Sequence, residues 1–340
     1  MASSAPGPLN LITDVPGLRV GQAEDAGART GVTVILPDAP AVAAVDVRGG
    51  GPGTRETDAL APETLVETVD AVVFAGGSVY GLAAADGVAA WLGAQGRGYG
   101  PVNAPGVPRS PIVPAAILYD LANGGDKDWR LEPPYRRLGL AAAKAADQTF
   151  SLGSAGAGTG AMAGRLKGGV GSASIVTAEG QTVGALAAVN SFGSVVAPGG
   201  REFWAAPYEI GAEFGGVPLG DVRAGPDDWA LAKRDPAPRS NTTLVVVATD
   251  AIVTPAEARR IAIMAQDGLA RAIRPVHAPF DGDVVFVLST GRSPLAEPKA
   301  ASLSRLGALA ADCVARAIAR GVFEAFAWPG SDATAWRDLG

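Results

Sequence analysis

The stretch Arg239-Ser240-Asn241-Thr242-Thr243-Leu244-Val245-Val246-Val247-Ala248-Thr249-Asp250 joins a polar, loop-like run to a strongly strand-forming one. The junction is the peptide bond between Asn241 and Thr242. A threonine hydroxyl is a weak nucleophile until a base stands beside it. Cleavage at this bond would make Thr242 the first residue of a second polypeptide and the nucleophile of an amide hydrolase.

Rival chemistries have little to work with. The chain has one histidine and one cysteine, which leaves no disulfide within the chain and no Cys/His zinc site, and no metal is expected. His277 stands between prolines in Pro275-Val276-His277-Ala278-Pro279 and reads as a surface or packing residue, so a Ser-His-Asp or Cys-His arrangement lacks its base. Ser78 follows Gly76-Gly77, but Tyr80 occupies the position where a nucleophile elbow needs glycine, so Ser78 reads as a helix cap. Gly156-Ala157-Gly158-Thr159-Gly160-Ala161 matches G-x-G-x-x-A, with Glu179 further on. That fingerprint must open a helix. Here Gly164, Gly168, Gly169 and Gly171 follow around Lys167, which suits a glycine-rich loop carrying a lysine into a pocket. No cofactor is expected. The run Arg48-Gly49-Gly50-Gly51-Pro52-Gly53-Thr54 admits two readings, a flexible loop or backbone N–H groups brought to a ligand or oxyanion.

These residues need a scaffold. The chain is 340 residues with 48% hydrophobic but only 6% aromatic content, so its core is built from small aliphatic side chains. Its net charge of −6 without a basic cluster argues against nucleic acid or an anionic membrane as partner. Residues 1–8 lack a signal-peptide pattern, no run of about 18 apolar residues suggests a membrane span, and the scarce cysteine suits the cytoplasm.

Strands are expected at 18–20, 31–36, 41–47, 71–75, 112–119, 182–189, 244–249 and 284–288. Helices are expected at 79–92, 135–148 and 300–320, and after the capping box Thr254-Pro255-Ala256-Glu257. The latter helix places Ala258, Ile261, Ala262, Ala265 and Leu269 on one face, and Cys313 lies on the apolar face of the last. Residues 93–111 read as irregular and 199–240 as a long surface connection. Strands mixed with helices without a regular βαβ beat point to sheets enclosed by helix layers. Asp281-Gly282-Asp283 reads by itself as a turn with two solvated acids.

Asn-Thr-Thr before an apolar strand, Thr254-Pro255-x-Glu257 and Asp281-Gly282-Asp283-x-x-Phe286 together resemble the nylon-oligomer hydrolases. More broadly they resemble the L-aminopeptidase/D-esterase (β-aminopeptidase) family of self-cleaving peptidases. The glycine-rich runs at 48–54 and 156–169, Gly76-Gly77-Ser78-x-x-Gly81, Lys167 and Asn190 extend the likeness over most of the chain. The resemblance implies an α+β fold, an αββα-type sandwich with an N-terminal-nucleophile core. It implies one domain cut into an α chain of residues 1–241 and a β chain of residues 242–340, assembled as a homotetramer. It assigns Asp281 and Asp283 to orienting the Thr242 hydroxyl and amine, Lys167 to the nucleophile's surroundings, Asn190 to the oxyanion and Tyr119 to the substrate. Chemically, Thr242 attacks the Asn241 carbonyl in an N→O acyl shift and water hydrolyses the ester. The freed α-amino group, with a pKa of about 7.7–8.0, can then serve as the base. The junction Asn-Thr and the pair Asp-x-Asp depart from the Gly-Ser and Ser-x-Glu of the aminopeptidase branch, which leans toward amides of short peptides or 6-aminohexanoate oligomers. An acyltransferase of the ornithine acetyltransferase type and an uncleaved small-molecule-binding scaffold are the alternatives.

Overall fold

The computed structural model describes residues 3–100, 105–234, 240–331 and 333–339. Arg239 and the neighbouring part of the long connection, part of the 93–111 stretch, and the first two residues of the N-terminal segment lie outside them.

The strand-forming run after the junction becomes β12 (Thr242–Ala251), buried along its whole length. It sits inside a six-stranded sheet ordered β10 (Val170–Val176), β11 (Thr182–Asn190), β12, β13 (Val284–Ser293), β3 (Ala41–Val47) and β5 (Thr68–Val69). A second sheet runs β1 (Leu18–Asp25), β2 (Thr30–Pro37), β6 (Val72–Ala75), β7 (Ala115–Ile117) and β4 (Thr54–Arg55). A small hairpin, β8 (Met162–Ala163) with β9 (Leu166–Lys167), carries the lysine.

Strand side chains alternate between faces, and here both faces are apolar. Leu244, Val246, Leu186, Phe286 and Leu288 join Ile35, Val72, Phe74 and Ala116 of the other sheet in one core. The intervening residues Val245, Val247, Ala185 and Val287 face α3 (Pro255–Ala272) and α4 (Lys299–Phe323) in another. Val32, Val34, Val73 and Ala115 of the second sheet pack with α1 (Ala84–Ala94) and α2 (Tyr135–Lys144). The contacts are close because the residues are small. A Cβ on Gly171 would lie 1.9 Å from the carbonyl oxygen of Ala317, so α4 rests directly on the backbone of β10.

The capping box of α3 forms as expected. Thr254 Oγ1 accepts from Glu257 N–H, the Glu257 carboxylate accepts from Thr254 N–H, and Pro255 opens the helix. Its five expected apolar residues are buried, as is Cys313 on α4. Burial pushes the Cys313 thiol up to about 12.

Other expectations change. The helix expected from Val79 starts as a 3-10 turn, Ser78–Ala83, before α1. Ser78 has a φ of 52° and supplies no side-chain cap. Gly77 starts the turn instead, its N–H donating to Asp120 Oδ1 at 2.7 Å. The strand expected over 112–119 shrinks to Ala115–Ile117, because Pro111 and Pro114 have no N–H to give a ladder. At Gly156–Gly158 the expectation of a glycine-rich loop holds: only a 3-10 turn forms, no helix opens, and the β8–β9 hairpin with Lys167 follows.

Candidate active site

The sheet explains how two sequence-distant motifs meet. β12 and β13 are parallel neighbours, with Leu244 opposite Val284, so their N-terminal ends emerge at the same edge. Asn241 bridges Asp281 directly, and the 281–283 turn lies beside the Asn241–Thr242 bond. The α3 crossover supplies the long connection that a parallel pair needs.

The hydroxyl of Thr242 donates to the carbonyl oxygen of Asn241, the preceding residue. That oxygen also accepts from Gly282 N–H at 2.9 Å. One carbonyl oxygen is therefore held by a backbone donor with the hydroxyl of the next residue against it. Gly282 is a steric necessity, since a Cβ there would lie 2.6 Å from Thr242 Oγ1.

Both acids are buried and act on the backbone. Asp283 Oδ1 accepts from Thr243 N–H at 2.7 Å. Its Oδ2 accepts from His277 N–H at 3.1 Å and lies 2.9 Å from His277 Nδ1. Asp281 accepts from Ala278 N–H at 2.9 Å and from Phe192 N–H at 3.2 Å. Desolvation, reinforced by the Asp283 charge, pushes Asp281 up to about 7. The glycine-rich run at 48–53 turns out to be neither of its two readings. Arg48 and Gly49 N–H donate to the Asp283 carbonyl, Gly51 N–H to that of Asp281, and Gly50 N–H to that of Ala278. It is a brace for the acidic turn.

Asn190 ends β11 opposite Thr242. Its Oδ1 accepts from Met162 N–H at 2.9 Å, and its Nδ2 donates to the Ser240 and Tyr119 carbonyls at 3.1 and 3.2 Å. Tyr119, Asn190, Met162 and Ser240 line a cavity of about 190 Å³ next to the junction. This is the candidate pocket. A larger hollow of about 760 Å³ by Tyr80 and Leu131 lies on the α1/α2 side, with none of these residues in its wall.

Lys167 stands further back. It is 1% exposed, its ammonium donates to the carbonyls of Gly158 at 2.9 Å and Gly168 at 2.6 Å, and desolvation brings its pKa down to about 7. It pairs across the hairpin with Met162, the residue that bonds Asn190. Its link to the junction thus runs through the backbone.

Lys233 carries no signal in the sequence, and His277, expected as a surface or packing residue, also meets the site. Lys233 Nζ donates to Asn241 Oδ1 at 2.7 Å, and the lysine lines the same cavity. Desolvation around the ammonium lowers its pKa to about 7, opposed by the nearby Asp281 charge. It lies in the long connection, eight residues before Asn241, where no periodic element signals it. His277 is a packing residue in part, yet it packs on the acid of the site. Among the described residues no cluster of His, Cys, Asp and Glu is arranged to hold a metal ion, and no helix is long and apolar enough to cross a membrane.

A family model for peptidase family S58 matches residues 10–335. The chain is 46% identical over 341 residues to an uncharacterized aminopeptidase of Mycobacterium bovis, covering 93% of this chain and 94% of that one. It is 29% identical to a 6-aminohexanoate-oligomer endohydrolase of a Kocuria species, covering 86% and 78%. Among solved structures, a Burkholderia β-aminopeptidase superposes with a TM-score of 0.71 at 24% identity, over 99% of this chain and 94% of that one. The L-aminopeptidase D-Ala-esterase/amidase of Ochrobactrum anthropi, described as a new variant among the Ntn hydrolase fold, gives 0.70 at 22% identity over 98% and 93%. A mixed α/β hydrolase of the aminopeptidase and amide-hydrolase class is thereby defined. The chain belongs to peptidase family S58.

Proposed function

We propose that the chain cuts itself between Asn241 and Thr242, and that Thr242 then hydrolyses amide bonds of short peptides or 6-aminohexanoate oligomers. The observation that carries this reading is the Asn241 carbonyl, held by Gly282 N–H at 2.9 Å with the Thr242 hydroxyl against it. In processing, the Thr242 oxygen bonds to the Asn241 carbonyl carbon, the C–N bond breaks, and the proton passes to the freed Thr242 nitrogen. Water then hydrolyses the ester, leaving Asn241 as a carboxylate and Thr242 with a free amine and its hydroxyl restored. In turnover, the amine takes the hydroxyl proton as the oxygen attacks the substrate, and that proton leaves with the departing amine. A pKa of about 7.7–8.0 for such an amine suits this at neutral pH without histidine.

Asp281 and Asp283 fix the turn that aims Gly282 N–H, and Asn190 holds the Ser240 carbonyl ahead of the bond. Lys167 acts at a distance, by fixing the hairpin that orients Asn190. Tyr119 lines the substrate's path. The αββα-type sandwich with an N-terminal-nucleophile core is the layering that best fits the three apolar cores, and a homotetramer of α/β pairs is the assembly we assign. Light scattering on purified protein tests the tetramer; a stable single α/β pair would contradict it.

The substrates follow from the relatives, one named an aminopeptidase and another a 6-aminohexanoate-oligomer endohydrolase. The test is hydrolysis of α-aminoacyl, β-aminoacyl and 6-aminohexanoyl anilides by the wild type and by T242A. Activity confined to the wild type, with water as acyl acceptor, is expected. Anilide turnover by uncut T242A would remove Thr242 from the role, and transfer only to amines would favour an acyltransferase.

A further inference from the structure

The uncut chain presents its own first acyl group to Thr242, and what surrounds that group describes a substrate. On the reading of Thr242 as nucleophile, on which this inference rests, one oxygen attacks both the Asn241 carbonyl and the substrate carbonyl. One backbone donor, Gly282 N–H, faces the carbonyl oxygen in the uncut chain, and it is placed to serve both reactions. Shared attacking and stabilising groups fix the carbonyl in one place. The acyl residue of a substrate therefore takes the place of Asn241, and its side chain meets what the Asn241 side chain meets now.

That neighbour is a cation. Lys233 Nζ donates to Asn241 Oδ1 at 2.7 Å, with the Asn241 amide nitrogen turned to Ser240 Oγ at 3.1 Å. The two partners differ in how they are anchored. Ser240 is joined to Asn241 and moves with it. Lys233 is tied by its own N–H to the Phe192 carbonyl at 3.0 Å, and Phe192 N–H donates to Asp281 at 3.2 Å. The lysine thus belongs to the same frame as the acidic turn and keeps its place when Asn241 withdraws. Withdrawal leaves a desolvated ammonium without the acceptor it had, on the wall of a cavity of about 190 Å³. A leucyl or 6-aminohexanoyl group offers nothing at that point. An acyl residue with a carbonyl oxygen on its γ-carbon restores the bond.

We propose that Lys233 is a specificity residue, and that the mature enzyme prefers α-aminoacyl amides whose acyl residue is asparagine or aspartate. The covalent chemistry is that given above: the acyl carbon bonds to Thr242 oxygen, the amine departs with the proton, and water releases asparagine or aspartate.

The test compares kcat/KM for asparaginyl, aspartyl, alanyl, leucyl and 6-aminohexanoyl anilides, with wild type and K233M. A hydrogen bond to a charged donor is worth about 10-fold or more in such a comparison, so the wild-type asparaginyl-to-leucyl ratio is expected near or above ~10. In K233M that ratio falls toward about 1, whatever happens to the absolute rates, as expected when the donor is gone. A wild-type ratio at or below one overturns the proposal, as does a ratio unchanged by K233M. Where K233M stays uncut, the wild-type ratio decides alone. Hydrolysis of all anilides at equal rates sinks this inference and leaves the Thr242 reading standing. Hydrolysis of none by an uncut wild type sinks both.

Discussion

Two lysines lie in glycine-rich or irregular stretches, and desolvation lowers both to about 7, yet they are tied to different things. Lys167 donates to the backbone carbonyls of Gly158 and Gly168, inside a hairpin and loop that is buried apart from Met162 and Arg165. Lys233 donates to one side chain, that of Asn241, at the bond the chemistry would break. The first lysine is part of the scaffold. The second is attached to a group that changes. A lowered pKa alone does not separate them, because burial depresses an ammonium wherever it occurs; the partner does.

The largest effect that would sharpen this contrast comes from the turn facing Lys233 rather than from either lysine. G282A puts a Cβ 2.6 Å from the Thr242 oxygen, and relieving that contact by a shift of about 1 Å costs about 100-fold in a positioned reaction. Processing followed by denaturing electrophoresis is expected to slow by that factor while circular dichroism stays that of the wild type. Normal processing would mean that the hydroxyl is not held where it must act.

Next comes stability. K167M leaves the Gly168 carbonyl without this donor, at about 1–3 kcal/mol, while the Gly158 carbonyl keeps Ala161 N–H. Measured by urea unfolding in the uncut T242A background, it is expected to destabilise the chain more than K233M does. The reverse order would erase the distinction between scaffold and site.

N190A removes the bond to the Ser240 carbonyl and the acceptor for Met162 N–H. Processing is expected to fall by about 10-fold, the scale of one or two modest hydrogen bonds. An unchanged rate would cut the path from Lys167 to the junction.

A further effect is one of pH. Lys167 holds its proton less tightly in the folded chain, at about 7, than at its ordinary 10.5. The unfolded chain then binds more protons between these values, so this lysine's contribution to stability rises with pH from about 7 to 10.5. Unfolding of T242A across that window is expected to show a steeper rise than unfolding of T242A/K167M. Parallel curves would place the Lys167 ammonium in contact with solvent.

Much of this was legible in the sequence where local rules decide the outcome. The capping box at Thr254–Glu257 fixed the start of α3, and the β-branched run after Thr242 gave β12. The apolar positions of α3 and Cys313 on α4 were readable from helical spacing. The Asp281-Gly282-Asp283 turn was readable only in company, because nothing local says that β12 and β13 are parallel and share an edge. Lys233 was invisible for a related reason. Its value comes from Phe192 and Asp281, 41 and 48 residues away in the chain, and it sits in a stretch with no period to read. The brace at 48–53 is not legible in the sequence, because glycine density reports backbone closeness and not what the backbone approaches. The strand expected over 112–119 is shorter because Pro114 within it and Pro111 before it have no N–H for a ladder.

Intact-mass spectrometry of freshly purified wild type and T242A tests the central claim most directly. The wild type is expected to give two chains, residues 1–241 and the remaining 99 from Thr242 to Gly340, the second beginning with threonine. T242A is expected to give one chain of 34.0 kDa. A wild type that remains a single 34.0 kDa chain after prolonged incubation would contradict the account, and so would a cut at any other bond.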